Sequence, residues 1–119
     1  NITVTDGTIA CASTISGTAS VIGGTLQTSG TSAYPTIEID TDGSCDYRSS
    51  GTVTTLNIFD GVFTSRDNET AGFTITTANN HSGGRLLLDG ALNNATVTNP
   101  ISMLGGDASF AVGSTISLG

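Results

Sequence analysis

The sequence predicts an all-β domain with minimal helix, and three observations carry that expectation. Thr and Ser alternate with Val, Ile and Leu along much of the chain. β-branched and small polar residues in alternation suit a pleated surface with one face in a core and one in water. Turn-forming pairs recur at roughly eight to twelve residues, the spacing of a sandwich, a barrel or a solenoid. Strong helix formers are scarce, lysine is absent, and no stretch sustains a period of about 3.6 residues.

Taken in order, the strand candidates are Ile2–Thr5, Thr36–Asp40, Val53–Phe59, Phe73–Thr76, Arg85–Leu88, Thr96–Thr98 and Phe110–Leu118. Between and beside them stand Asp6-Gly7, Gly23-Gly24, Ser29-Gly30, Asp42-Gly43, Ser50-Gly51, Asp60-Gly61, Asn79-Asn80, Gly83-Gly84, Asp89-Gly90, Asn93-Asn94, Asn99-Pro100 and Gly105-Gly106. Each pair favours a turn, through positive φ at Gly or Asn or through the locked φ of Pro. A weak echo links Gly17–Leu26 to Gly106–Ile116 with one residue inserted. Equivalent rungs of a parallel β-helix would produce such an echo, although no strict coil period accompanies it.

At 119 residues the chain forms one domain. Its 36% hydrophobic and 5% aromatic content assigns the core to Val, Ile, Leu, Ala and four Phe. The net charge of −7, with Arg48, Arg66 and Arg85 as the only strong cations, offers no basic stripe for nucleic acid. The same sign repels anionic membrane surfaces, and no apolar run reaches the ~20 residues of a spanning helix. Without lysine there is no amine nucleophile, no Schiff base and no Lys–Asn crosslink, and trypsin has only three arginines to cut at. These features suit a secreted, cell-surface or extracellular protein. The first residue, Asn1, fits a start processed on export or cropped from a longer chain. In an oxidising compartment Cys11 and Cys45 would most simply pair, and the loop so closed would contribute ~3–4 kcal/mol.

Candidate chemistry is sparse. Asp40, Asp42 and Asp46 surround a Gly turn and form the one weak calcium candidate, without the spacing of an EF-hand. An Asx-stabilised hairpin explains the same residues. Glu38 and Asp40 share a strand face, yet two exposed acids on a strand are ordinary surface rather than a glycosidase pair. His81 is the sole histidine and reads as a solvated loop tip, and neither a nucleophile elbow nor a phosphate-cradling loop is present. The expectation is therefore a protein with no catalytic residues, no cofactor and no structural metal. Asn1, Asn68, Asn80 and Asn94 each open an Asn-x-Ser/Thr sequon, making them candidates for covalent glycans, and the many Ser and Thr could carry O-linked sugars.

Phe73-Thr74-Ile75-Thr76-Thr77-Ala78-Asn79-Asn80-His81-Ser82-Gly83-Gly84-Arg85-Leu86, followed by Val97–Leu104, resembles the strand–turn–strand of many bacterial pilins. Gly7-Thr8-Ile9-Ala10-Cys11 resembles the first strand of chaperone–usher pilins, whose Cys commonly bonds a later strand, and Ala108–Leu118 resembles a strand pair of such domains. The aromatic usual near a pilin's C-terminus is missing, since the chain ends Ser117-Leu118-Gly119. The resemblance implies a single Ig-like/jelly-roll β-sandwich over residues 1–119, completed by a donated strand. Residues 1–12 are the candidate donor, with Ile2, Val4 and Ile9 as its inward anchors, because an open sandwich edge is filled by strand addition. Pairing of the same residues within their own domain is the other reading. It further implies a structural subunit of an extracellular filament, polymerising with copies of itself. The alternative is a short parallel β-helix, a segment of an adhesin or a phage tail fibre, whose Thr and Ser ladders face a surface glycan. A carbohydrate-binding module is the weakest option, with no Trp and only Tyr34 and Tyr47 to stack on a sugar.

Overall fold

The computed structural model of the protein describes residues 1–90, 95–110 and 115–116. It is all β, and every pairing between its strands is parallel. The strands are β1 (Ile2–Val4), β2 (Thr8–Cys11), β3 (Thr18–Ile22), β4 (Thr25–Thr28), β5 (Tyr34–Asp40), β6 (Gly43–Asp46), β7 (Thr52–Thr64), β8 (Phe73–Leu88), β9 (Ala95–Val97), β10 (Ser102–Met103), β11 (Asp107–Phe110) and β12 (Thr115–Ile116). On one side β1, β3, β5, β7, β8, β9 and β12 stack in that order. On a second side β2, β4, β6, β7, β8 and β11 do the same. The chain thus winds as a parallel β-solenoid, with one coil resting on the next.

This corrects the expected Ig-like/jelly-roll sandwich in favour of its alternative. A sandwich needs antiparallel neighbours joined by hairpins, whereas here the turn pairs bend the chain around a coil. Three predicted breaks are absorbed into long strands, Gly83-Gly84 of β8 among them. Asn79-Asn80 lies inside the 16-residue β8, and Asp60-Gly61 marks a register shift inside the 13-residue β7. Both strands run across two sides of the coil and turn its corner without leaving the ladder.

Four inward rows make the core, each one residue deep per coil: Val4, Val21, Ile39 and Ile58; Ala19, Ile37, Leu56 and Ala78; Tyr34, Val53, Ile75 and Val97; Leu26, Cys45, Phe63 and Leu86. Burial of each large side chain contributes roughly 1.5–3 kcal/mol. Tyr34 and Tyr47 sit inside this core, at 1% and 0% exposure, so neither can stack on a sugar. A third, non-strand side is bonded coil to coil through Ile15 N–H to Ala33 O, Ser50 N–H to Gly30 O and Ser65 N–H to Leu87 O. Its inner lining is polar but satisfied: the Tyr34 hydroxyl donates to Ser32 Oγ at 3.0 Å and the Ser49 hydroxyl to Ser32 O.

Residues Asn1–Thr8 do not behave as a donor strand. Ile2 pairs with Ala19 and Val4 with Val21, while Ile9 pairs with Leu26, so the segment is the first coil of its own domain. Ile9, meant as an inward anchor, is 39% exposed. The echo also lands differently from equivalent rungs: Thr18–Ile22 stacks on the first side, whereas Asp107–Phe110 stacks on the second.

Cys11 and Cys45 carry free thiols, which overturns the expected disulfide. Cys11 pairs with Thr28 and Cys45 with Leu26, which puts β4 between them. Two strand spacings amount to ~9–10 Å, beyond the ~7 Å between Cα atoms that a disulfide can bridge. Cys45 is fully buried, and burial pushes its thiol well above the ordinary range. A thiol reagent on the native chain is therefore expected to titrate Cys11 alone, with Cys45 appearing only after denaturation. Two reactive thiols in the native state would refute that assignment.

Candidate functional site

The outward rows of the first side repeat like residues from coil to coil. Thr52, Thr74 and Thr96 stand in register beside the inward Val53, Ile75 and Val97, and Thr54, Thr76 and Thr98 follow those residues on three successive coils. Alongside runs Thr18, Thr36, Thr55 and Thr77, each paired with the next. The Asn99 amide extends that row by donating to Thr77 Oγ1 at 3.0 Å. One step further along the strands come Ser20, Glu38, Asn57, Asn79 and Ser102. There the Asn79 amide donates to Asn57 Oδ1 at 2.8 Å, bridging two coils.

The corner beyond these rows carries several exposed apolar side chains. Ile22 is 41% exposed, Phe59 38% and Leu104 64%, and they alternate up the stack with Asp40, which pairs with Ile22, and with His81. His81 is not a loop tip: it belongs to β8 and stacks on Phe59, with ring centroids 4.6 Å apart and planes 29° apart. The β-ladder imposes this contact, since successive coils hold equivalent side chains at about 4.8 Å.

The remaining predicted site residues are not brought together. Asp40 and Asp42 lie around the turn into β6, where Thr41 and Asp42 take left-handed φ values of 53° and 59°. Asp40 Oδ1 accepts the Thr41 N–H at 2.8 Å, the Asx bond of an ordinary turn. Asp46 Oδ2 instead accepts from Arg48 Nη2 at 2.8 Å and from Gln27 Nε2 at 3.4 Å. Among the described residues no three His, Cys, Asp or Glu side chains converge as a metal would require. Glu38 stands in the outward row between Ser20 and Asn57, the ordinary outward position of a strand residue. A cleft lined by Arg48, Asp67, Glu69 and Thr70 mixes charges. Its Arg48 is held by Asp46 and lies 3.6 Å from Asp67.

Two glycosylation candidates are structural residues. Asn68 is 2% exposed, and its amide donates to Tyr47 O at 3.1 Å and Ser49 O at 2.9 Å. Asn80 is fully buried and donates to Gly84 O, Gly105 O and Asp107 O at 3.1 to 3.3 Å. Both tie backbone carbonyls at coil corners, and the fold leaves no room for a glycan on either. Asn1 is exposed, with Oδ1 accepting the Thr18 N–H at 3.0 Å. Asn94 lies outside the described residues.

Sequence reasoning missed the Thr-apolar-Thr repeat of three coils and the corner role of Asn68 and Asn80. The first was readable as a recurring tripeptide spaced by 22 residues, as from Thr52 to Thr74 and from Thr74 to Thr96. Compared with protein-family models, curated proteins and solved structures, the chain gives no match.

Proposed function

We propose that this chain is a segment of a secreted fibre or cell-surface adhesin, a β-solenoid rod that works by binding, without catalytic groups or a cofactor. Its ligand is a neutral glycan on the surface it meets. The observation that carries the reading is the Phe59–His81 stack, exposed at a coil corner beside the bridged amides of Asn57 and Asn79. An apolar ring with planar amide donors and acceptors close by is the mixture that holds a sugar: CH groups against the ring, hydroxyls on the amides. The net charge of −7 favours neutral over acidic glycans. The parallel stack gives this patch a rigid support, as an adhesive surface on a solenoid requires.

Glycan-array binding of the native chain tests the reading against Phe59→Ala. Loss of the ring is expected to weaken binding about tenfold, the scale of one aromatic contact. A native chain that binds no neutral glycan, or a variant that binds equally well, rejects the proposal.

A further inference from the structure

We infer that the threonine face built from Thr52, Thr54, Thr74, Thr76, Thr96 and Thr98 binds an ordered water lattice and adsorbs the protein to ice. This goes beyond the glycan reading and uses different rows. Pairing in register places Thr52 beside Thr74 and Thr74 beside Thr96, and the buried Val53, Ile75 and Val97 turn both threonines of these three coils to the outside. Adjacent coils then repeat at ~4.8 Å, and alternate residues along a strand at ~6.6 Å. The result is a two-dimensional grid of hydroxyls and methyls whose coil-to-coil interval lies near the shorter oxygen repeat on a prism face of hexagonal ice.

The chemistry of the grid fits that occupant better than others. Threonine is stiff about χ1, so each hydroxyl and methyl holds its place in the grid without a large loss of freedom on binding. The hydroxyl can donate to and accept from lattice water, while the methyl orders the water that flanks it. No residue in these rows is charged, although the chain carries a net −7. A charge would impose a hydration shell of its own on the lattice. The neighbouring row of Thr18, Thr36, Thr55 and Thr77 continues the neutral surface. A sugar chain would call for a ring to stack on, and a protein partner for an apolar anchor; these rows hold neither.

The test is partition of the chain into slowly grown ice, read as the protein ratio of ice to liquid. Native protein is expected to enter the ice. Thr54→Lys, at an exposed position, and Thr76→Lys, at the centre of the grid, are expected to lower the ratio about tenfold, a loss equivalent to one well-placed contact. Thr8→Lys, exposed on the second side, is expected to partition as native. Far-UV circular dichroism confirms that each variant is folded. Exclusion of the native chain from ice, or native-like partition of both Thr54→Lys and Thr76→Lys, overturns the inference. So does exclusion from ice combined with retention on crystalline cellulose or chitin that the same variants abolish, which would make the grid a polysaccharide platform.

Discussion

Gly61→Val is expected to cost more than ~4 kcal/mol, the range reserved for backbone collisions and comparable core lesions, and so to consume most of a typical stability of ~5–15 kcal/mol. Gly61 pairs with Gly43 below and Gly84 above, at the corner where β7 passes from one side of the coil to the other. Its φ is +130°, a region that L side chains rarely occupy, worth ~1–3 kcal/mol of strain by itself. A Cβ there would also collide with the Gly43 carbonyl oxygen and crowd the Ile39 side chain. That oxygen belongs to the rung below and cannot retreat without opening the ladder. Gly7→Ala separates the two contributions, because Gly7 has φ +70° but open space where its Cβ would stand. It should lose only ~1–2 kcal/mol of left-handed strain. Urea midpoints followed by far-UV circular dichroism compare the two variants. Near-native stability of Gly61→Val would show that the rungs are not stacked as described.

The same glycine explains what the sequence could and could not tell. Gly7, Gly24, Gly43, Gly61, Gly84 and Gly106 occupy one column at one corner, and each closes a turn pair visible in the sequence. Their gaps run from 17 residues (Gly7 to Gly24) to 23 (Gly61 to Gly84), so the coil has no fixed period to detect. Further pairs such as Ser29-Gly30, Ser50-Gly51 and Asp89-Gly90 fall between them and halve the apparent spacing, which then imitates the hairpins of a sandwich. Strand content was legible because Thr36–Asp40 and Phe73–Thr76 alternate cleanly. Strand direction was not, because a half-buried parallel strand and a half-buried antiparallel one show the same alternation. The cysteines misled for a related reason: composition says that two thiols could pair, but only coil register shows β4 between them. The sites fared likewise. Asn68 and Asn80 satisfy a sequon in sequence and a carbonyl cluster in space, and burial decides between the two. Phe59 and His81 become neighbours only through the β7–β8 register.

Tyr47→Ala is expected to destabilise the chain by about 3–5 kcal/mol, as large-to-small changes of buried aromatics do. The Tyr47 ring is fully buried, with centroids 5.3 Å from Phe63, 5.0 Å from Phe73 and 6.0 Å from Tyr34, and its hydroxyl donates to Gly51 O at 2.6 Å. It therefore joins successive coils where the third side meets the strands. Tyr47→Phe keeps the ring and loses only the hydrogen bond, for ~0.5–1.5 kcal/mol. The same burial governs the alkaline limit. Desolvation pushes the phenols of Tyr34 and Tyr47 and the Cys45 thiol upward, so the folded chain holds these protons to higher pH than the unfolded one. The unfolded chain releases them first, at ~8.5 for the thiol and ~10 for the phenols. Stability from these groups is then complete below pH ~8.5 and declines as pH rises, because the unfolded state binds fewer protons than the native state. In Tyr47→Phe one titrating phenol is gone, and the decline above pH ~10 should be shallower than in the native chain. Urea midpoints measured between about pH 8 and 11 read this directly. A midpoint that stays level across that range in the native protein would mean that water reaches these groups in the fold, which contradicts a closed aromatic core.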